Sequence, residues 1–364
     1  MISKRRLLKI HRWAGLLGAL IVLSQASTGV LLLFRAQFAA LVDPGGFTRS
    51  SVAHEATISQ VIDSARQRFP GFEIEHIGFP LTARGVYVAH LLNRAGASRW
   101  VSVDPGTSQI LRAGSIWSFP ADAALQIHYR LMTGRLGLGC IILAGVALVI
   151  LAVCGLSFWW PQSGRFRRSL SIEPRAPMRV LLRRLHRNVG VFAAAGALYS
   201  SVTGLLVAGQ FYLNPGPLTP LQSPAIPLTG DLDAALAQAR SVYPDRGIRD
   251  IRTSETGGFD VFFWAPEKSP YAVHEVSIDP RTGQILSVTP AQSTHVIWMT
   301  VLPIHSGATF GLPGTLFVLC GGLGIFALAA SGPIMWLQAR RGVGRSVKTQ
   351  HAPAKLGVET SRHS

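Results

Sequence analysis

Four stretches of this sequence, 13–34, 136–160, 189–213 and 312–337, contain no Asp, Glu, Lys or Arg. The shortest has 22 residues. As a helix rising ~1.5 Å per residue it spans about 33 Å, enough to cross the hydrocarbon core of a bilayer. The lipid interior leaves no partner for open backbone groups, so such runs fold as spanning helices. The rest of the composition agrees: 48% of residues are hydrophobic, 15% are charged and the mean hydropathy is +0.31, values that fit a membrane protein better than two soluble domains.

The net charge of +17 and a pI near 11.0 raise the alternative of a nucleic-acid partner. The placement of the charge excludes it. Residues 1–13, 161–187 and 338–364 hold 19 Lys and Arg against two acids, Glu173 and Glu359, which accounts for the whole net charge. All three segments flank spanning helices, so the excess follows the positive-inside rule. Both termini and the 161–187 loop are expected in the cytoplasm, with two long loops outside. The first apolar run exceeds the 7–15 residues usual for a signal-peptide core, and it is read as a retained helix. Cys140, Cys154 and Cys320 all lie inside apolar runs, which leaves no disulfide framework and no C-x-x-C-H for covalent haem attachment.

The chain repeats itself with a period of about 175 residues. RRLLKIHRWAG at 5–15 returns as VLLRRLHRNVG at 180–190, and VSVDPGTSQIL at 101–111 as VSIDPRTGQIL at 276–286. His11 aligns with His186, STG at 27–29 with VTG at 202–204, and His128 with His305. Each half therefore reads as helix, outer domain, helix, in two parallel repeats about an axis along the membrane normal. The fold class expected is a mainly α membrane protein of four transmembrane helices with two small outer α+β domains. In each outer domain one amphipathic helix precedes strands with period-two alternation, such as GVYVAHLL and DVFFWAP, closed by Asp-Pro turns. The boundaries expected are 1–42 for the N-terminus and first spanning helix, 43–127 for outer domain 1 and 128–160 for the second helix. A basic loop at 161–185 leads to the third helix at 186–213. Outer domain 2 follows at 214–300, opening on a proline-rich connector at 214–230, then the fourth helix at 301–337 and a basic tail at 338–364.

Eleven histidines occur. His54, His76, His90, His274, His295, His351 and His363 have no mirrored partner and read as surface or domain-packing residues. The other four form two symmetric pairs at helix ends: His11 with His186 inside, His128 with His305 outside. A single such histidine is most simply a wet interfacial group. Matched ligands on facing helices are how helical bundles hold cofactors. No Asp or Glu lies within five residues of any of the four, which disfavours zinc or a di-iron carboxylate centre. Two axial imidazoles on an apolar macrocycle fit haem best. Arg12, Arg187 and Arg130 follow these histidines closely and are candidate propionate contacts, although Arg12 and Arg187 already serve as positive-inside anchors. No hydrolase, ATPase or nicotinamide motif stands in a suitable context.

The ordered set LLKIHRWAGLLGAL…STGVLLLF, IHYRLMTGRLG, IHSGATFG and the paired VSVDPGTSQIL and VSIDPRTGQIL turns resembles the PepSY-associated transmembrane family, over nearly the whole chain except the basic tail. The resemblance implies a bacterial inner-membrane protein with PepSY-like domains in the periplasm and an iron-linked role. Characterised relatives are haem-containing reductases that release iron from ferric siderophores. Its histidines carry over onto His11, His128, His186 and His305. One departure is that the Thr-Gly pair of the second and fourth helices is here Cys154-Gly155 and Ser331-Gly332. Some relatives carry fused flavin domains; none is visible here, so the electron donor is expected to be separate, a quinol or a cytoplasmic reductase.

Two readings follow. In one the chain binds two haem b and passes electrons outward to a ferric siderophore or other ferric chelate. In the other the outer domains are membrane-anchored binding modules that regulate a periplasmic protease or sense a ligand, without redox activity.

Overall fold

The computed structural model describes residues 3–50, 55–160, 169–213, 230–253, 258–294 and 296–350, with side chains up to 340. Most of the proline-rich connector, part of the 161–185 loop, the tail beyond 350, and His54, His295, His351 and His363 lie outside the described residues.

Four helices are long and apolar enough to cross a membrane. They are α1 (Lys4–Leu32), α6 (Gly134–Trp159), α7 (Met178–Leu213) and α10 (Gly311–Gln350). Their outward faces carry large exposed side chains, among them Leu17, Leu20, Leu136, Leu143, Phe192 and Leu312, as a lipid-facing surface requires. They form a four-sided bundle in which α1 and α7 each pack on both α6 and α10. Small residues bring the backbones together: a Cβ on Gly196 would stand 2.8 Å from the Gly321 Cα. At the centre Val22, Ala26, Ala197 and Ile325 bury one another.

The second and fourth spanning helices start later than expected. The chain enters α6 from a separate helix, α5 (Pro120–Arg130), and α10 from α9 (Trp298–His305). Leu131 and Met132, at φ 48° and 60°, end α5 with bonds to the Ile127 and Gln126 carbonyls. A Cβ on Gly137 would lie 1.8 Å from the Arg130 carbonyl oxygen, and one on Gly314 would lie 2.3 Å from that of Gly307. Both corners are thus folded so tightly on the helix they enter that only glycine fits. The histidine-bearing helices are consequently free to turn away from the spanning helices and reach across the bundle.

The strands outside the bundle, four from each expected α+β domain, join edge to edge. They form one antiparallel eight-stranded sheet in the order β4-β3-β2-β1-β5-β6-β7-β8. Its members are β1 (Phe72–Gly78), β2 (Tyr87–Asn93), β3 (Ser98–Val103), β4 (Ile110–Gly114), β5 (Ile248–Thr253), β6 (Phe259–Trp264), β7 (Val273–Ile278) and β8 (Ile285–Thr289). The seam is β1 against β5, with His76 opposite Arg252, Ile77 opposite Ile251 and Gly78 opposite Asp250. The physical reason is the edge-strand liability: β1 and β5 would each present an unpaired ladder, and pairing them removes both edges. One face is apolar. Ile74, Ile77, Ala89, Leu91, Val101, Ile251, Val261, Phe263 and Val276 pack under α4 (Ile58–Arg68) and α8 (Leu232–Val242). α4 begins at a capping box between Thr57 and Gln60.

Candidate functional site

The outer histidines are delivered by α5 and α9 to the sheet end of the bundle, where their rings meet. The centroids of His128 and His305 are 6.3 Å apart, with ring planes at 41°. Each ring lies against a glycine of the opposing spanning helix. A Cβ on Gly29 would stand 3.0 Å from the His128 Cε1, and one on Gly204 would stand 3.2 Å from that of His305.

The residue before each glycine fixes the ring. Thr28 Oγ1 is 3.1 Å from His128 Nδ1, and Thr203 Oγ1 is 2.9 Å from His305 Nδ1. Each hydroxyl already donates its single proton to a carbonyl one turn back, Ser24 and Tyr199, at 2.7 Å. Only its lone pairs remain, so each must accept the imidazole Nδ1–H. His128 Nδ1 also lies 3.1 Å from the Gln25 carbonyl, a pure acceptor. Both outer histidines are therefore held as Nδ1–H tautomers that leave Nε2 with a free lone pair, the form in which imidazole ligates a metal.

The inner histidines lie at the other end and are not equivalent. His186 Nδ1 is 2.7 Å from Ser331 Oγ, whose proton faces the Leu328 carbonyl at 3.3 Å. His11 packs edge-on against Phe158, 6.2 Å between centroids, and beside Gly155. Its Nδ1 is buried without a well-formed hydrogen bond among the described residues, with the Leu151 carbonyl as a poorly aligned neighbour. Cys154, buried, occupies in α6 the place that Ser331 holds in α10.

The three arginines stand differently. Arg130 lies over the Tyr129 ring at 4.0 Å, close to His128. Arg12 lies over Trp13 at 5.7 Å, and Arg187 donates to the Asn188 side chain at 3.3 Å. His76 and His90, expected as surface or domain-packing residues, are packed in the sheet and also line the cavity that reaches His128 and His305. His90 is bonded to Glu75 and stacked on Trp100, and His76 faces Asp250 at 3.7 Å across the seam. Sequence reasoning also gave the Thr-Gly and Ser-Gly pairs no role. Their signal was present: a hydroxyl-glycine or cysteine-glycine pair recurs in every spanning helix, at Thr28-Gly29, Cys154-Gly155, Thr203-Gly204 and Ser331-Gly332.

A family model described as the PepSY-associated TM region matches residues 8–339. The chain belongs to this family. No curated protein matches it. The matched residues include most of each spanning helix, the whole sheet and each of the four paired histidines.

The two imidazoles at the sheet end form a donor set without a carboxylate that would fit a group bringing further ligands of its own. No cluster of three or more His, Cys, Asp or Glu able to hold a metal occurs among the described residues. His128 and His305 would be the residues to hold a group bound through imidazole nitrogens, and such a group would supply one-electron chemistry if it were haem.

Proposed function

We propose that this protein is a di-haem b electron carrier of the inner membrane that reduces ferric siderophores or other ferric chelates on its periplasmic side. The observation that carries this reading is the outer pair: two facing imidazoles, both fixed as Nδ1–H by threonines on opposing helices, each against a glycine. His128 and His305 would hold one haem and His11 with His186 the other. Bound haem supplies reversible one-electron transfer between its ferric and ferrous states. The chain's own residues do the rest. Thr28, Thr203 and Ser331 orient the imidazoles and keep their Nε2 atoms open, and the apolar bundle excludes water. Arg130, two residues after His128 and in the wall of the same cavity, would be the residue to balance a propionate.

Under this reading the basic termini face the cytoplasm, the sheet lies in the periplasm, and the two halves of the chain are parallel repeats. Along α1 and α7 the inner histidine and the outer threonine are 17 residues apart in both helices, about 26 Å at ~1.5 Å per residue. That spacing places one centre near each membrane face. The donor would be a separate quinol or cytoplasmic reductase.

The deciding experiment is an absorption spectrum of detergent-purified protein before and after dithionite, with a pyridine haemochrome count. Two b-type haems per chain are expected, falling to one in His305→Ala. Protein that carries no iron porphyrin after haem-supplemented expression would leave the sheet as a membrane-anchored binding module, the second reading of the sequence.

A further inference from the structure

Two short helices, α2 (Arg35–Val42) and α3 (Pro44–Phe47), follow α1. The sequence of α2, RAQFAALV, holds one charge, Arg35, and its guanidinium pairs with Asp122 of α5. Ala39 turns inward and is buried. Phe34, the cap residue, and Leu41 are seven residues apart and so share the other face. They are 42% and 81% exposed, and Val42 beside them is exposed as well. A helix in water shows the opposite pattern. In the same outer segment α4 turns Gln60, Asp63, Gln67 and Arg68 outward. A run of exposed large apolar groups marks a surface that meets something other than water.

The height of α2 says what covers it. α5 runs antiparallel beside the last turns of α1: Ile127 meets Gln25, His128 meets Thr28 and Asp122 meets Arg35. The residues just before Asp122 therefore stand near the level at which the uncharged run of α1 ends. Trp117 precedes Asp122 by five residues, about 8 Å at ~1.5 Å per residue, and is 66% exposed. Its neighbour Ile116 packs in one cluster with Phe38 and Ala39 of α2. Membrane proteins place tryptophans at this level and lay apolar helix faces flat there. The lipid-facing surface of α1 also leads into α2, because Leu20 and Phe34, both exposed, are fourteen residues apart, close to four helical turns.

We infer that α2 and Trp117 form a foot lying in the boundary between headgroups and acyl chains at the sheet end of the bundle, so that the lipid surface is the partner of the first outer segment. The foot is tied to the sheet. Arg112 of β4 pairs with Asp43, which joins α2 to α3, and Ser102 of β3 donates to the Gly46 carbonyl of α3 at 2.6 Å. Contact with lipid therefore sets the height of the sheet over the bundle. The inference goes beyond the proposed function and needs no bound cofactor.

The test uses full-length protein in liposomes of phosphatidylcholine and phosphatidylglycerol, with Cys140, Cys154 and Cys320 replaced by alanine. A nitroxide is placed on Leu41→Cys or on Trp117→Cys, with Asp63→Cys on the exposed face of α4 as reference. Power saturation compares collisions with oxygen, which concentrates in the bilayer, and with a water-soluble nickel chelate. The oxygen-to-nickel ratio at positions 41 and 117 is expected to exceed that at 63 by about threefold or more, as for a helix face buried at the boundary. At 81% exposure Leu41 adds little to packing, so its label decides the matter even if Trp117→Cys fails to fold. A ratio at 41 equal to that at 63 would place the foot in water and overturn the inference. Slow collisions with both reagents at 41 would mean that protein covers this face, a second copy or a partner, and would overturn it equally.

Discussion

Ser331 Oγ stands 2.7 Å from the Nδ1 of His186, whereas the corresponding residue facing the His11 end of the bundle is Cys154. A hydroxyl whose own proton is engaged accepts an imidazole N–H well; a thiol sulfur is a weak acceptor. The inner histidines therefore differ in the group that sets their tautomer and basicity.

Cys154→Ser places at this position the hydroxyl that Ser331 offers to His186, and hydrogen bonding at the distal nitrogen makes an imidazole more basic. A redox titration of the reduced b-type bands should show one of two centres shifted to lower potential, with the other unmoved. Unchanged potentials for both centres would show that Cys154 has no influence on His11.

Thr28→Val and Thr203→Val keep the side-chain shape and delete the acceptor. Loss of such an outer-shell partner costs roughly 10–100-fold in metal affinity. Haem per chain, measured after dialysis against apo-myoglobin, should fall at the outer centre only. Full retention in both variants would show that the threonines are packing residues alone.

Gly29→Ala and Gly204→Ala place a methyl 3.0 and 3.2 Å from the imidazole rings, whereas nothing lies within 4 Å at Gly332. Alanine favours a helix over glycine by about 1 kcal/mol, so any loss in the first two variants comes from the displaced histidine. Reduced spectra should be perturbed in both and normal in Gly332→Ala. A perturbed Gly332→Ala with a normal Gly29→Ala would reverse the assignment.

At the seam, burial pushes the Asp250 carboxyl up, but Arg249, His76 and Arg252 overcome this and hold it well below the usual carboxylate range. Burial holds the His76 imidazole below its ordinary value, partly offset by Asp250. Both groups bind fewer protons folded than unfolded, so stability rises with pH. The His76 contribution is complete above about pH 6.5 and the Asp250 contribution above about pH 4. Thermal unfolding followed by tryptophan fluorescence should give a lower midpoint at pH 5 than at pH 7.5. Asp250→Ala should cost about 3 kcal/mol by removing the carboxylate that Arg249 pairs with. A midpoint that rises on acidification would contradict this balance.

The sequence by itself determined the four spanning helices, because an uncharged run of 22 residues or more has few alternatives in lipid. It determined the strands of each outer segment through their alternation, and it marked His11, His128, His186 and His305 through the internal repeat. Only the tertiary structure decided that β1 and β5 close one sheet, that α5 and α9 break away from the helices they precede, and that His76 and His90 roof a cavity. Backbone ladders pair strands more than 170 residues apart without a local signature, since N–H and C=O groups are the same in every residue. The roles of Thr28, Thr203 and Ser331 were hidden for a related reason. A hydroxyl followed by glycine in an apolar helix reads as close helix packing until an imidazole from elsewhere in the chain is placed against it.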